Sequence, residues 1–106
     1  MRVSAQDIRD AATLLAGNVI RTPMVESPLL SRQLGCEVFV KLECQQYTSS
    51  FKARGAYVAM FSLDKAQREK GVIAMSAGNH AQAVAYHAER MGIPAVIVMP
   101  SQTPLA

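Results

Sequence analysis

Apolar residues in the first segment recur at helical spacing: Ile8, Ala11, Ala12 and Leu15 share one face of a 3.6-residue repeat. Ser4 stands in front as an N-cap, Asp7 puts an acid in the first turn, and Gly17-Asn18 ends the segment. Arg21-Thr22-Pro23 is extended, because a residue before proline avoids the α region. Residues 27–34 read as a short helix stopped by Gly35. Residues 37–42 then alternate, with Val38, Val40 and Leu42 on one face of a strand. After a polar loop over 43–49, the pattern from Ser50 to about Leu63 is helical, with Gly55 a weak point, and 64–70 continue after a break. Val72–Met75 and residues 95–99 are short runs apolar on both faces, as in the buried strands of a parallel sheet. Between them lies a helix from about Asn79 to Met91, closed by Gly92 and Pro94. Strand, helix, strand, helix, strand predicts an α/β fold with right-handed crossovers: three layers with parallel-sheet segments.

Composition narrows the class without choosing a function. Half of the 106 residues are hydrophobic and 18% are charged, which suits one small domain with a modest core and argues against disorder. No apolar run approaches the roughly 18 residues of a membrane span. Residues 1–10 lack the apolar stretch of a secretory signal, so a cytoplasmic protein with no membrane partner is expected. The net charge of +3 is spread over scattered basic residues, which points away from nucleic acid. Lys65, Arg68 and Lys70, interrupted by Glu69, read as a solvated helix face. Cys36 and Cys44 are not in CxxC spacing and read as ordinary thiols in a reducing compartment.

Two polar strings stand where a strand ends and a helix begins, the place where ligands gather in open α/β sheets. The first is Ser49-Ser50-Phe51-Lys52-Ala53-Arg54-Gly55-Ala56. A lysine is nucleophilic only when neutral, and burial or a nearby cation, here Arg54, favours that form. Such an amine condenses with an aldehyde. Thr48, Ser49 and Ser50 can accept from amides at the helix start or leave them to a phosphate. A purely structural reading is equally simple: Ser49 or Ser50 caps a helix, Phe51 packs, and Lys52 and Arg54 lie in water.

The second string is Ser76-Ala77-Gly78-Asn79-His80-Ala81-Gln82. Asn79 and Gln82 are spaced as a capping box, and Ala81, Ala85 and Ala88 form a small-residue stripe for close packing on the sheet. His80 and His87 have no third partner for a metal, so no metal site is expected. Ser76, Gly78, Asn79 and His80 can present donors to a carboxylate or a ring oxygen, or can merely start a well-made helix.

Taken together, these strings resemble the pyridoxal-phosphate enzymes of the tryptophan-synthase-β-like fold (fold type II), in the threonine/serine dehydratase and serine racemase branch. Arg21-Thr22-Pro23, Val40-Lys41-Leu42-Glu43, Gln46, Thr48, Gly92-Ile93-Pro94-Ala95 and Val98-Met99-Pro100 extend the resemblance from about Asp7 to the last residue. It implies pyridoxal 5'-phosphate as cofactor, with Lys52 joined to it and then acting as the base at the substrate α-carbon. Phe51 would lie near the ring and Asn79 would bond its hydroxyl. Ser76, Gly78, Asn79 and His80 would grip the substrate carboxylate. The implied outcome is a 2-oxo acid and ammonia from threonine or serine, as in isoleucine biosynthesis, by a homo-oligomer in the full-length family. One departure is Ser49, where this branch commonly has glycine; a positive φ there would cost on the order of 1 kcal/mol.

The family chain is about three times as long, and its glycine-rich phosphate cradle falls downstream. All six glycines here are isolated. The chain therefore reads as an N-terminal fragment: about 1–50 the start of the large domain, about 51–106 part of the small one. On its own it is expected to be inactive. A racemase or β-replacement synthase of the same fold, a non-catalytic remnant associating through an open sheet edge, and a lone module for small anions are the competing readings.

Overall fold

The structure, a computed structural model, describes residues 2–103. Helix α1 (Ala5–Leu15) starts on Ser4, whose hydroxyl accepts from the Asp7 N–H at 3.2 Å while the Asp7 carboxylate accepts from the Ser4 N–H at 2.7 Å. The expected lone cap is thus a reciprocal box. Those bonds, the Ser4 backbone N–H first, hold the Asp7 carboxyl below its ordinary range.

The extended Arg21–Pro23 stretch leads into a strand absent from the sequence reading, β1 (Met24–Glu26). It pairs antiparallel with β2 (Phe39–Lys41), with Met24 opposite Lys41 and Glu26 opposite Phe39. The connecting helix α2 (Pro28–Leu34) begins on proline, whose missing N–H costs nothing there, and ends at Gly35 with φ 68°.

A 3₁₀ turn (Glu43–Gln45) leads to α3 (Lys52–Phe61), α4 (Lys65–Lys70), β3 (Val72–Met75), α5 (Asn79–Met91) and β4 (Ala95–Val98). β3 and β4 are parallel and in step, Val72 beside Ala95 through Met75 beside Val98. The expected β2–β3–β4 progression in one sheet does not form: β2 is spent on β1, giving two separate two-stranded sheets.

Asp64 caps α4 reciprocally with Gln67. Arg68 folds back to donate to the carbonyls of Phe61 at 2.6 Å and Leu63 at 2.9 Å, closing the end of α3. The solvated-face reading holds for Lys65, whose only ion pair among the described residues is an exposed one to Glu69 at 3.8 Å, but not for Arg68.

The core lies where α3 and α5 pack on one face of the parallel pair. Ala56, Met60, Ala83, Val84, Ala88 and Ile93 are buried there, with Val72, Ala74 and Ile97 against them. Alanines on both helices permit the close approach. The buried arc of α5 centres on Val84, His87 and Ala88, which leaves Ala85 in solvent, contrary to the stripe expected from sequence. The strands are also not buried on both faces. Ile73 and Met75 are 74% and 83% exposed, with Val96 and Val98 beside them. Among the described residues, helices cover only the opposite face. No helix there is long and apolar enough to cross a membrane.

Candidate functional site

The chain enters α3 through a tight turn. Ser49 has φ 54°, the positive value expected for that position if it behaves as a glycine site. A Cβ in the left-handed region is strained. Replacing Ser49 by glycine is expected to stabilise the chain by about 0.5–1 kcal/mol, the relieved strain exceeding the entropy glycine adds to the unfolded state. Denaturant unfolding measures it; a loss of stability would show that the turn carries no strain.

Neither Ser49 nor Ser50 caps the helix. Phe51 is the N-cap, already helical, with no side-chain bond. The hydroxyls of Thr48 and Ser50 are buried without a partner. Lys52 is therefore the first residue of a helix whose leading amides have no side-chain acceptor.

Lys52 is exposed rather than sheltered, and its ammonium lies 5.2 Å from the centre of the Phe51 ring. It lines an open cleft of about 410 Å³ with Phe51, Gly55, Met60, Ile73 and His80. The cleft runs between α3 and the start of α5, so both polar strings line it, the first through Phe51, Lys52, Gly55 and Ala56 and the second through His80. The openness that exposes Lys52 also leaves Ile73 uncovered.

The expectation that Arg54 acts on Lys52 is corrected by its ion pair. Two residues along a helix is a rotation of roughly 200°, so Arg54 points away from the cleft and grips Glu43. Its Nη2 donates to Glu43 Oε1 at 2.7 Å and its Nε to Oε2 at 2.9 Å. Glu43 Oε1 also accepts from Thr22 Oγ1 at 2.6 Å. Gln46 donates to the Ile20 carbonyl at 2.7 Å and accepts from the Ile20 N–H at 3.1 Å. Arg54 Nη2 reaches that same carbonyl at 3.3 Å, and Lys41 Nζ donates to the Thr22 carbonyl. Hydrogen bonding from Arg54, then Thr22, and the charge of Arg54 together outweigh burial and pull the Glu43 carboxyl down to about 2. The sequence reading quoted Thr22, Lys41, Glu43 and Gln46 for resemblance but gave them no work. The available signal was a set of hydrogen-bonding residues clustered just ahead of the helix.

The second string is placed less completely. The Ser76 N–H donates to Val98 O at 3.0 Å, which ties the turn to β4, and the Gly78 N–H donates to Ser76 Oγ at 3.3 Å. Gly78 is the N-cap of α5 and its carbonyl accepts from the Gln82 N–H at 3.2 Å. Asn79 is inside the helix, so the expected Asn79–Gln82 capping box is absent. Asn79 and His80 are exposed. Ser76 and Gly78 stand on the turn before α5 and Asn79 is its first residue; none of the three lines the cleft.

His87 is fully buried, with neither ring nitrogen hydrogen-bonded and with Tyr57 and Tyr86 edge-on at 5.2 and 5.0 Å. Burial pushes its pKa down; the Ala53 carbonyl pulls the other way without closing a bond of normal geometry. No group of three potential metal ligands forms among the described residues. A second hollow of about 420 Å³ lies between α4 and the α5–β4 turn. Its Lys65 and Glu69 pair at 3.8 Å in solvent and its Arg68 is spent on α3.

The cleft suits pyridoxal phosphate in its donor set: an accessible primary amine, an aromatic ring beside it, apolar walls from Ala56, Met60 and Val84, and His80 opposite. Its volume falls within the roughly 300–1,000 Å³ of small-molecule sites.

Known proteins resemble this chain in sequence and in fold. Residues 3–106 match the family described as "Pyridoxal-phosphate dependent enzyme". A biosynthetic L-threonine dehydratase of Staphylococcus saprophyticus is 47% identical over 103 residues, 97% of this chain and 24% of that protein. An L-threonine ammonia-lyase of Thermotoga maritima is 46% identical over 104 residues, 98% of this chain and 26% of that one. The structure of maize serine racemase superposes with a TM-score of 0.89 at 42% identity, covering 98% of this chain and 32% of that one. The chain thus spans about a quarter to a third of the length of these relatives. It belongs to the pyridoxal-phosphate-dependent enzyme family, in the α/β fold of that group.

Proposed function

We propose that the chain is the lysine-bearing part of an ammonia-lyase that converts L-threonine or L-serine to a 2-oxo acid and ammonia. The observation that carries this reading is the meeting of Lys52 and His80 on one cleft. The relatives named as threonine dehydratase and ammonia-lyase, at 46–47% identity, support the choice of reaction. Pyridoxal phosphate, when bound, supplies an electron sink for charge developing at the substrate α-carbon.

In this reading Lys52 Nζ would hold the cofactor aldehyde and would serve as the base for the α-carbon proton. Phe51 would flank the ring. Asn79 would bond the ring hydroxyl. Ser76, Gly78, Asn79 and His80 receive the substrate carboxylate, the backbone N–H groups at the start of α5 favouring its negative charge. A boundary near residue 50 goes with it, separating the β1–β2 sheet from the β3–β4 sheet. A homo-oligomeric, cytoplasmic whole protein follows from the same assignment; the exposed free thiols of Cys36 and Cys44 fit a reducing compartment.

The likeness to a serine racemase supports a second reading in which the same lysine half serves racemisation. The product tells them apart: ammonia and 2-oxo acid from the whole protein for the lyase, the D-amino acid for the racemase.

The first test needs only this chain. Pyridoxal phosphate followed by borohydride is expected to label Lys52, located by peptide mapping, and Lys52→Ala is expected to lose that label. Equal labelling of wild type and Lys52→Ala would overturn the assignment.

A further inference from the structure

Lys52 opens a helix that is poorly equipped to hold its own first turn. The N-cap Phe51 makes no side-chain bond, no acid lies in the first turn, and Ser49 before it is in a strained conformation. An uncapped first turn frays, and a residue on it samples many positions. Within that turn Ala53 is buried, and one residue is tied by side-chain hydrogen bonds from outside. Arg54 is bound through both edges of its fork to Glu43 and through Nη2 to the Ile20 carbonyl.

The anchor is itself rigid. Thr22 and Gln46 are 3% and 4% exposed. Both contact Glu43, and Gln46 holds both backbone groups of Ile20. The segment after α1, the 3₁₀ turn and α3 are thus tied at one carboxylate. Because Arg54 and Lys52 project to opposite sides of α3, holding one fixes where the other points.

We propose that Arg54, gripped by Glu43, is a positioning residue that sets the first turn of α3 and thereby presents Lys52 to the cleft. This rests on the assignment of Lys52 as the cofactor-binding amine. The guanidinium never touches the cofactor; it acts through the helix. A lysine at position 54 would keep the charge and lose the fork.

The probe is pyridoxal phosphate with borohydride. Lys52 Nζ forms a bond to the aldehyde carbon as water leaves, hydride from borohydride adds to that carbon, and the nitrogen takes a proton from solvent. A stable secondary amine remains, and peptide mapping apportions it among Lys41, Lys52, Lys65 and Lys70. In wild type Lys52 is expected to dominate.

In Glu43→Ala its initial labelling rate is expected to fall about tenfold, the factor equivalent to roughly 1.4 kcal/mol of lost first-turn order. Hydrogen exchange at amides 52–55 is expected to quicken. Glu43→Gln, isosteric and able to accept one of the two bonds, is expected to lie between and serves if the alanine variant fails to fold.

Ile93→Ala controls for general weakening. Ile93 is buried in the core and does not line the cleft, so this variant is expected to lose melting temperature while keeping the Lys52 preference. The proposal is overturned if both Glu43 variants label Lys52 at the wild-type rate, or if Ile93→Ala loses the preference equally. Failure of wild type to label Lys52 would overturn the assignment of Lys52 itself, and this inference with it.

Discussion

Acidifying the chain from about pH 6 to about pH 2 is expected to remove on the order of 2 kcal/mol of stability through Glu43 alone. The Glu43 carboxyl titrates near 4.5 when unfolded and is held at about 2 when folded, chiefly by the Arg54 hydrogen bonds. The folded form therefore releases its proton more readily than the unfolded chain. This stabilisation is complete above about 4.5 and is lost as pH falls through the folded value. The full shift corresponds to about 3 kcal/mol, discounted here because the two side chains keep 17% and 31% of their surface in water.

His87 acts with the same sign in a higher window. Its folded pKa is pushed below the ordinary 6.5 by burial, so stability begins to fall once the unfolded imidazole protonates. The two contributions differ in where they set in as pH falls, His87 near about 6.5 and Glu43 near about 4.5.

Arg54→Leu sharpens the test. It leaves a carboxylate half-sheltered among Thr22 and Gln46 with no cation, at a cost of about 2–3 kcal/mol near neutral pH. Without the Arg54 bonds and charge the Glu43 pKa returns toward its ordinary value, so the variant is expected to lose much less stability on acidification than wild type does. Urea unfolding across the pH range would show the two curves converging. Parallel curves would mean that the ion pair contributes nothing.

That clamp also marks the limit of what the sequence discloses. Local signals were sufficient for α2 and α5, because Gly35 and Gly92 sit at φ 68° and 64° where a left-handed stop is required. The parallel strands were legible as apolar runs, and Ser49 as a strained position. The pairing of β1 with β2 was not, because Met24 and Lys41 are brought together by chain reversal through α2, which no local pattern encodes. Nor was the fate of Arg54: its partner lies 11 residues back in a turn, and spacing alone gives no reason to prefer Glu43 to solvent. Lys52 is exposed, as the structural reading had it, without the burial or the neighbouring cation that the chemical reading called for, and it lines a cleft with His80. Proximity in the cleft is a product of the α3–α5 packing and becomes visible only once the helices are placed.

The most damaging single methyl group in this chain is expected at Gly71. Gly71→Ala should destabilise the fold by about 3–5 kcal/mol, a large share of the roughly 5–15 kcal/mol available to a small domain. Two causes act together. Gly71 has φ 86° and ψ −175°, a conformation essentially confined to glycine. A Cβ there would also stand 2.5 Å from the Pro94 carbonyl oxygen and 3.0 Å from Pro94 Cβ. That oxygen cannot retreat freely, because it accepts from the Val72 N–H at 2.8 Å, the bond that starts the β3–β4 pairing. Relief by moving Pro94 would open the sheet at its first rung and loosen Ile93 in the core. Gly55→Ala is the matched control: it is helical and nothing lies within 4 Å of its added Cβ, so it should gain about 0.5–1 kcal/mol. Denaturant midpoints of the two variants are expected on opposite sides of wild type, and equal midpoints would refute the close approach of residues 71 and 94 on which the register of the parallel strands depends.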